Sequence, residues 1–476
     1  MSMKILLTGA TGYIGKRLLP TLVENGHKVV CCTRDPDRFT PPESLEDNIQ
    51  VIQVDLLDIK TLENIPLDID AAYYLVHSMS TSDEYEVLEK ESAINFRNAI
   101  EKTQAKQIIY LSGIVNDNNL SKHLNSRKNV ELELAKGSYN LTTLRAGIII
   151  GSGSASFEII RDLVEKLPIM IAPKWLNTKC QPIGVTDVIK FLIKSLGNKS
   201  TYNKNFDIGG PSILTYKEML LGFAKVRDLG RIIIIVPVMT PRISSYWLYF
   251  VTSTSYKLAV SLVNSMKIEV ICRNNEINHI LGIEPITYQA ALEKAFAKIE
   301  SNEIVSSWKD SQVSGRLKFN ISDFINVPSY GCFKDVRKRK LKDRKYSIEK
   351  LWAIGGENGW YSADFLWQLR GVLDKFSGGV GLRRGRTNKT SLEVGDALDF
   401  WRVLYANKEE GRLLLFAEMK LPGEAWLEFN IKNNVLTQTA TFRPKGLLGR
   451  LYWASVLPFH GIVFNGMINS LSKDIN

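Results

Sequence analysis

The fold of the N-terminal half is indicated by the stretch Lys4-Ile5-Leu6-Leu7-Thr8-Gly9-Ala10-Thr11-Gly12-Tyr13-Ile14-Gly15. The apolar start predicts a short buried strand, and the pattern from Lys16 onward predicts a helix. The G-x-x-G-x-x-G spacing between them suits a tight turn, the approach of backbone to a pyrophosphate, and close helix–strand packing. The stretch therefore predicts a dinucleotide site at a helix N-terminus. Its predicted contact residues are Thr8, Gly9, Thr11, Gly12, Tyr13, Ile14 and Gly15.

Strand and helix patterns alternate through the first 145 residues. The predicted strands are Ile5–Leu7, Lys28–Cys32, Ile49–Val54, Ala71–Val76, Gln107–Leu111 and Leu141–Leu144. The predicted helices are Lys16–Glu24, Lys60–Asn64, Tyr85–Lys102 and Arg127–Lys136. This alternation predicts an α/β fold with a doubly wound parallel sheet of the Rossmann type.

The sequence predicts two domains joined by a linker. The first domain is expected at residues 1–300, with a substrate lobe at about residues 151–300, and the linker is expected at residues 301–320. Residues 321–476 have an α+β pattern, with successive amphipathic strands followed by a helix near the C-terminus. This order is similar to the helix-grip fold, which often encloses an apolar cavity. The residues expected to point inward, as ordinary core or as cavity lining, are Trp401, Phe416, Met419, Trp426, Phe429, Phe442, Trp453 and Phe464.

Composition narrows the class of protein. The 476 residues carry a net charge of +11, and from Ile321 onward there are 24 Lys/Arg against 16 Asp/Glu. This excess indicates a solvated basic surface, an anionic partner or a peripheral membrane contact. Aromatic residues are not interleaved with the basic ones as in proteins that bind single-stranded nucleic acid, so we do not expect a nucleic-acid partner. The five cysteines are odd in number and scattered, which favours neither a disulfide framework nor a metal site. The predicted strand at the N-terminus leaves no room for a signal peptide, so we expect a cytoplasmic protein.

The segment Leu451–Ser472 is long enough to span a bilayer and has no charged residue. It contains Pro458, however, and polar residues recur after it at intervals of three to five. Such spacing is typical of an amphipathic helix that covers a core, and a membrane span is the alternative.

The choice between dinucleotides depends on the end of the second strand. An acidic residue there bonds the ribose of NAD, whereas an arginine accepts the 2′-phosphate of NADP. Arg34, with Arg38 close behind, favours NADP over NAD, and Asp35 is the contrary sign. Asp55, which with Leu56 follows the third strand, either meets the adenine or forms a turn.

The N-terminal half resembles the short-chain dehydrogenase/reductase superfamily in its extended or atypical branch. The matching stretches are Thr8–Gly15, Val54–Leu56, Tyr73–Ser78, Asn95, Tyr110–Ser112, Leu144–Gly147 and Pro182–Val188. The resemblance implies a bound nicotinamide cofactor, with Leu56, Val76 and His77 among its contacts and its ring near Ser112.

Catalytic members of that superfamily use a serine with a Tyr-x-x-x-Lys pair, and here the chain departs from the pattern. Ser112 matches the serine, but His123 and Arg127 occupy the register of the tyrosine and lysine. The spacing still places both side chains on one helical face. Histidine can act as a general acid near neutral pH, although a solvated or capping histidine is the alternative. Arginine keeps its charge, and Glu131 is expected to pair with it.

The C-terminal part resembles the second module of a bacterial group in which reductase-like proteins are fused to a domain of unknown function. The matching sequence segments include Gly359-Trp360-Tyr361, Asp399–Val403, Glu418–Trp426 and Pro458-Phe459-His460. In this part the glycine-arginine stretch 378–386 predicts either an anion site at Arg383, Arg384 and Arg386 or a solvated turn.

These observations predict an NADP-binding oxidoreductase that reduces a carbonyl or enone in an apolar small molecule, which the second domain presents or covers. In this mechanism Ser112 polarises the carbonyl, His123 donates the proton and Arg127 holds the ribose. The alternative is an NADPH-binding sensor or scaffold without catalysis, whose C-terminal domain binds a lipid-like ligand or a partner.

Overall fold

A computed structural model describes residues 2–34, 36, 39, 43–77, 85–115, 122–236, 263–300, 327, 332–376, 391–444 and 446–473. The chain divides into two units, Met1–Lys318 and Phe319–Asn476. The expected linker at residues 301–320 lies outside the described residues. So do Asp35, Arg38 and the three arginines of the predicted anion site.

A sheet of seven parallel strands, in the order β11-β6-β5-β4-β1-β2-β3, forms the centre of the first unit. The strands of this unit are β1 (Lys4–Leu7), β2 (Lys28–Thr33), β3 (Ile49–Gln53), β4 (Ala71–Tyr74), β5 (Gln107–Gly113), β6 (Asn140–Ala146), β7 (Ile149–Ile150), β8 (Ile169–Pro173), β9 (Lys179–Cys180), β10 (Ile183–Gly184), β11 (Lys204–Ile208), β12 (Leu214–Thr215) and β13 (Ile232–Val236). The strand order reverses between β1 and β4, which is where doubly wound sheets bind their ligands.

Helices cover both faces of this sheet, as expected for a parallel sheet. They are α1 (Gly15–Glu24), α2 (Tyr85–Ile100), α3 (Lys122–Leu134), α4 (Ala155–Lys166), α5 (Val185–Ser195), α6 (Tyr216–Val226), α7 (Glu276–Leu281) and α8 (Tyr288–Glu300). Leucines of α1 and Phe191 of α5 enter one core, and Phe96 of α2 and Leu134 of α3 enter the core on the opposite face. A third core joins α4, α6 and α8, where the rings of Phe157, Phe223 and Phe296 lie with centroids 5.1–5.7 Å apart.

The predicted doubly wound parallel sheet is confirmed, and the six predicted strands are present with shifted ends. The seventh strand, β11, was not predicted, because its sequence Lys-Asn-Phe-Asp-Ile lacks an apolar run and, among the described strands, it pairs with β6 alone. The predicted helix Lys60–Asn64 is a 3-10 helix, Ile59–Asn64. The apolar run Ile232–Val236 is not isolated, since it pairs in parallel with β8.

The second unit is an antiparallel sheet in the order β14-β19-β18-β17-β16-β15, so that its first strand pairs with its last. Its strands are β14 (Phe333–Lys340), β15 (Ala397–Leu398), β16 (Trp401–Asn407), β17 (Arg412–Ala417), β18 (Gly423–Lys432) and β19 (Val435–Pro444). Its helices are α9 (Arg344–Trp352), α10 (Asp364–Phe376) and α11 (Gly446–Ser472). The predicted strand Ala397–Tyr405 is interrupted, because Asp399 turns the chain with φ of 52°.

The second half of α11 lies against the core of this unit. Val463, Phe464, Met467, Ile468 and Leu471 are buried there, as the amphipathic pattern predicted. By length and composition alone, Leu448–Ser472 also qualifies as a membrane span, and 22% of its apolar window is buried.

Two of the residues predicted to point inward lie elsewhere. Phe416 and Trp426 are buried, but they alternate with Leu415 and Leu427, which belong to the core. Because successive strand residues point to opposite faces, this pair lies on the other face of the sheet. Their rings meet there edge to face, with centroids 5.4 Å apart.

Candidate active site

The glycine-rich turn connects β1 to α1 with little space for side chains. Gly9 has φ of 70°, and a Cβ there would lie 2.8 Å from the carbonyl oxygen of Leu75. A Cβ at Gly15 would lie 2.2 Å from the carbonyl oxygen of Gly9, whereas at Gly12 the same distance is 3.1 Å. The N–H groups of Gly12 and Lys16 bond to carbonyl oxygens of the turn itself (2.9 Å and 3.0 Å), and α1 begins at the carboxyl edge of the sheet, where the N-terminus of a helix attracts anions. This cradle fits a pyrophosphate.

Side chains of the turn serve mainly to hold it in place. The Thr8 hydroxyl donates to Tyr73 O (2.9 Å) and accepts from Leu75 N (3.2 Å), which joins β1 to the end of β4. The Tyr13 hydroxyl is buried, and burial raises its pKa to about 12. The Arg17 guanidinium stacks 4.0 Å above the Tyr13 ring and donates to Ser152 O (2.9 Å). The Thr8 and Arg17 side chains therefore bond to groups within this unit.

The carboxyl ends of the parallel strands bring the other predicted contacts to the same edge. Arg34 follows β2 and is exposed, and its carbonyl oxygen accepts from Gln53 Nε2 (3.3 Å). Asp55 follows β3, and its Oδ1 accepts from Leu57 N (3.0 Å). This bond is the turn-forming role given above as one alternative, and an adenine contact stays a prediction. Asn95 Nδ2 donates to Leu56 O (2.8 Å) and holds this loop against α2.

Ser112 and Arg127 are brought together at the end of β5. Ser112 is 4% exposed, and its Oγ lies beside the Tyr110 hydroxyl without a bond of good hydrogen-bond geometry to any described residue. Arg127 reaches from α3, where its Nη1 donates to Leu111 O (3.1 Å). His123 lies in the first turn of α3, four residues before Arg127, but its side chain is outside the description. The helix therefore carries both residues in the predicted register.

The predicted partner of Arg127 was wrong. Glu131 forms a two-bond ion pair with Arg145 of β6, with distances of 2.7 Å and 3.0 Å. Arg145 stands beside Ser112 in the β5–β6 register, so its guanidinium reaches Glu131 across the sheet face. Arg127 thus keeps its side chain for the end of β5.

A buried acid lies beside these residues and was not predicted. Glu89 of α2 is 7% exposed, and its carboxylate lies 2.8 Å from His77 Nδ1 and accepts from the Ser126 hydroxyl. Burial opposes its charge, but the bonds from His77 and Ser126 and the nearby Arg127 prevail and lower its pKa to about 2. Burial, and then Arg127, lower the pKa of His77. Near neutral pH this network therefore holds a Glu89 carboxylate and a neutral His77.

One signal in the sequence could have revealed Glu89. The buried positions of α2 include Ser92, Ala93, Phe96 and Ile100. Glu89 precedes them by three, four, seven and eleven residues, so that it lies on the same stripe. A carboxylate on the buried stripe of a helix needs partners, and two of them come from outside that helix.

The comparisons with known proteins agree with this geometry. The family model described as NAD(P)H-binding matches residues 9–146, and the model described as a protein of unknown function (DUF2867) matches residues 331–467. The divinyl chlorophyllide a 8-vinyl-reductase of Arabidopsis thaliana is 23% identical over 225 residues, 44% of this chain and 53% of that protein. The chain thus spans about half the length of this curated relative.

Solved structures share the fold at low sequence identity. An epimerase of Methanothermobacter thermautotrophicus has a TM-score of 0.51 at 12% identity, covering 64% of this chain and 94% of that one. A nucleoside-diphosphate-sugar epimerase of Staphylococcus aureus has a TM-score of 0.50 at 16% identity, covering 61% and 100%. The chain therefore carries an NAD(P)H-binding domain with the Rossmann fold that these epimerases share, followed by a DUF2867 domain.

Proposed function

We propose that the first unit binds NADP(H) and reduces a carbonyl group or a conjugated carbon–carbon double bond in an apolar substrate. The observation that carries the proposal is the meeting of the glycine cradle, Ser112 and Arg127 at one edge of the sheet. The exposed Arg34 at the end of β2 supports NADP over NAD. The Arabidopsis relative, whose name describes a vinyl reductase, supports the inclusion of carbon–carbon double bonds.

The residues divide the chemistry between them. When bound, the nicotinamide cofactor supplies the hydride. Ser112 has a buried hydroxyl beside that of Tyr110 at the end of β5, and in this proposal it polarises the acceptor group of the substrate. Arg127 places a permanent positive charge beside it and holds the ribose. His123, one helical turn earlier, donates the proton, because its ordinary pKa lies near neutral pH.

The test is consumption of NADPH with a panel of apolar carbonyl and enone compounds. The variants Ser112→Ala and His123→Ala should each lower turnover by at least about tenfold, while NADPH affinity stays within about twofold of wild type. His279→Ala, which changes an exposed histidine of α7, is the matched control and should retain full turnover. Unchanged turnover in either site variant would remove that residue from the mechanism.

The second candidate function is an NADPH-binding sensor without catalysis. It is favoured by the absence of the Tyr-x-x-x-Lys pair from the register that His123 and Arg127 occupy. A sensor binds NADPH and leaves it unoxidised with every compound of the panel. Binding that alters proteolysis of the chain, without turnover, would support this candidate.

For the second unit we propose a helix-grip fold that holds an amphipathic ligand between its sheet and α11. The order of sheet and long final helix supports the fold. The ligand is supported by Gln438 of β19, which is 1% exposed although neither atom of its amide has a partner among the described residues. Arg337, on the neighbouring strand β14, lies directly opposite Gln438 and donates to the Asp335 carboxylate. That carboxylate is 3.5 Å from Nδ1 of His460 in α11. A buried amide needs a partner, which a ligand or water would supply.

Mass spectrometry of the gently purified protein, native and then denatured, tests this candidate. An apolar molecule with a hydrogen-bonding group should be released from wild type and be absent from Gln438→Leu. The control Gln289→Leu changes an exposed glutamine of α8 and should retain it. Equal recovery from both variants would contradict a contact with Gln438.

A further inference from the structure

Helix α10 carries its apolar stripe toward solvent. The buried side of the helix holds Trp367, Gly371, Asp374 and Lys375. The outward side holds five large apolar residues, each at least 50% exposed: Phe365, Leu369, Val372, Leu373 and Phe376. Because they recur at intervals of three and four along most of the helix, they form a continuous stripe. Helices on the surface of a soluble protein place such a stripe against the core, so this one is inverted.

The first half of α11 has the same property. Leu448, Leu451, Leu457, Phe459 and Ile462 are 48–73% exposed, whereas the second half of the helix is packed against the core. The two helices lie side by side: the Arg370 guanidinium is 5.5 Å from the ring centroid of Tyr452, and the rings of Trp367 and Phe464 are 6.3 Å apart. We call these ten exposed residues of α10 and α11 the helical apolar face.

An exposed face of this kind needs an occupant. Single apolar residues on a protein surface are ordinary, but a contiguous group on neighbouring helices marks a surface that meets a protein or a membrane. The charges around the face decide between these two. From Phe429 to Lys473 the sequence has no Asp or Glu, and its basic residues are Lys432, Arg443, Lys445, Arg450 and Lys473. Arg443 is paired with Glu424 of β18 (3.5 Å), so the other four carry the excess charge of this stretch.

The chain that follows α10 is basic as well. Residues 377–392 contain Arg383, Arg384, Arg386 and Lys389, and no acidic residue. The two acids of α10 are engaged locally, since Asp364 accepts from Trp360 N (2.9 Å) and Asp374 from Lys420 N (2.7 Å). A second copy of this chain would bring together two segments with the same excess of positive charge. An anionic bilayer offers hydrocarbon to the face and opposite charge to its surroundings.

We propose that the helical apolar face docks this protein on the surface of an anionic membrane, with α10 and the first half of α11 lying in the headgroup region. The second half of α11 stays in the core of its own unit, so the helix lies on the bilayer rather than spanning it. The proposal does not depend on the cofactor chemistry.

The experiment is flotation of the full chain with vesicles of phosphatidylcholine, with and without phosphatidylglycerol. Binding to the anionic vesicles is expected at about 0.1 M salt, with a severalfold reduction at about 0.5 M. The double variant Phe365→Ser/Phe376→Ser should bind at least about tenfold more weakly. Leu67→Ser, which changes an equally exposed residue of the first unit, is the control and should bind like wild type.

Three results would overturn the proposal. They are absence of flotation with anionic vesicles at low salt, equal binding by the double variant, and equal loss in the Leu67→Ser control. Sedimentation velocity on the same samples identifies the other occupant: a dimer that the double variant dissociates would assign the face to a second copy. Circular dichroism of each variant verifies the fold, and the exposed positions changed here should leave the spectrum as in wild type.

Discussion

Replacement of Glu89 by glutamine removes the charge from the buried network and keeps the shape of the side chain. The folded protein lowers the pKa of this carboxyl from its ordinary 4.5 to about 2. Although burial works against the charge, the bonds from His77 and Ser126 and the charge of Arg127 prevail. That difference corresponds to about 3 kcal/mol in favour of the charged form. We expect Glu89→Gln to lower the free energy of unfolding of the first unit by about this amount at pH 7.

The pH dependence has a definite sign. A carboxyl whose pKa is lower in the folded state stabilises the fold above its unfolded pKa, and the stabilisation is lost as pH falls toward about 2. The pKa of His77 is also lowered, so its unfolded form takes up a proton first as pH falls below about 6.5. Wild type should therefore lose stability in acid from about pH 6.5 downward. The gap between wild type and Glu89→Gln should narrow once pH falls below about 4.5.

Hydrogen exchange followed by mass spectrometry measures this free energy in peptides of β4, β5 and α3, separately from the second unit. Glu91→Gln is the matched control, because Glu91 is an exposed acid of the same helix. It should stay within about 0.5 kcal/mol of wild type. Equal exchange in the two variants at pH 7, or a penalty for Glu89→Gln that grows toward pH 4, would refute the account of the network.

Three more predictions concern the glycine-rich turn, the choice of cofactor and the core of the second unit. Gly15→Ala should abolish NADPH binding measured by calorimetry, since its Cβ would lie 2.2 Å from a carbonyl oxygen of the turn; Gly230→Ala, with open space around its Cβ, should bind normally, and equal affinity would contradict the tight-turn argument. Arg34→Asp should shift the ratio of NADPH to NADH affinity toward NADH by at least about tenfold, and an unchanged ratio would remove Arg34 from phosphate binding. Trp360→Phe loses the 2.8 Å bond from Nε1 to Asp399 Oδ2 and should cost about 2 kcal/mol in urea unfolding followed by circular dichroism; a change under about 0.5 kcal/mol would contradict that role.

The sequence predicted the parallel sheet well because its strands are short apolar runs bounded by turn residues. Cys31 and Ile109, for example, lie in strands buried on both faces, and such strands are written as continuous apolar segments. β11 escaped prediction because it is an edge strand with alternating polar residues. Its place depends on pairing with β6, which is a long-range property that a local pattern does not contain.

The sequence predicted those residues of the candidate site that directly follow strands, and it missed those whose role depends on long-range packing. Residues that follow strands, such as Arg34 and His77, are located by the rule that parallel strands end at one edge. Glu89 belongs to a helix and reaches the site through its buried stripe, so its role depends on how α2 packs. The partner of Glu131 was mistaken because spacing along one helix suggested Arg127, whereas the sheet offers Arg145 at 2.7 Å.

The pairing of β14 with β19 has a consequence for the order in which the two units fold during synthesis. Phe333 lies opposite Phe442, so the first strand of the second unit waits for its neighbour until nearly all of that unit has left the ribosome. Contacts so distant along the chain form slowly, because a large loop must close first. The Rossmann unit can fold during this interval, as N-terminal domains generally do. During synthesis β14 is therefore an unpaired strand with five basic side chains, four of them consecutive at Arg337–Lys340, and their mutual repulsion opposes aggregation.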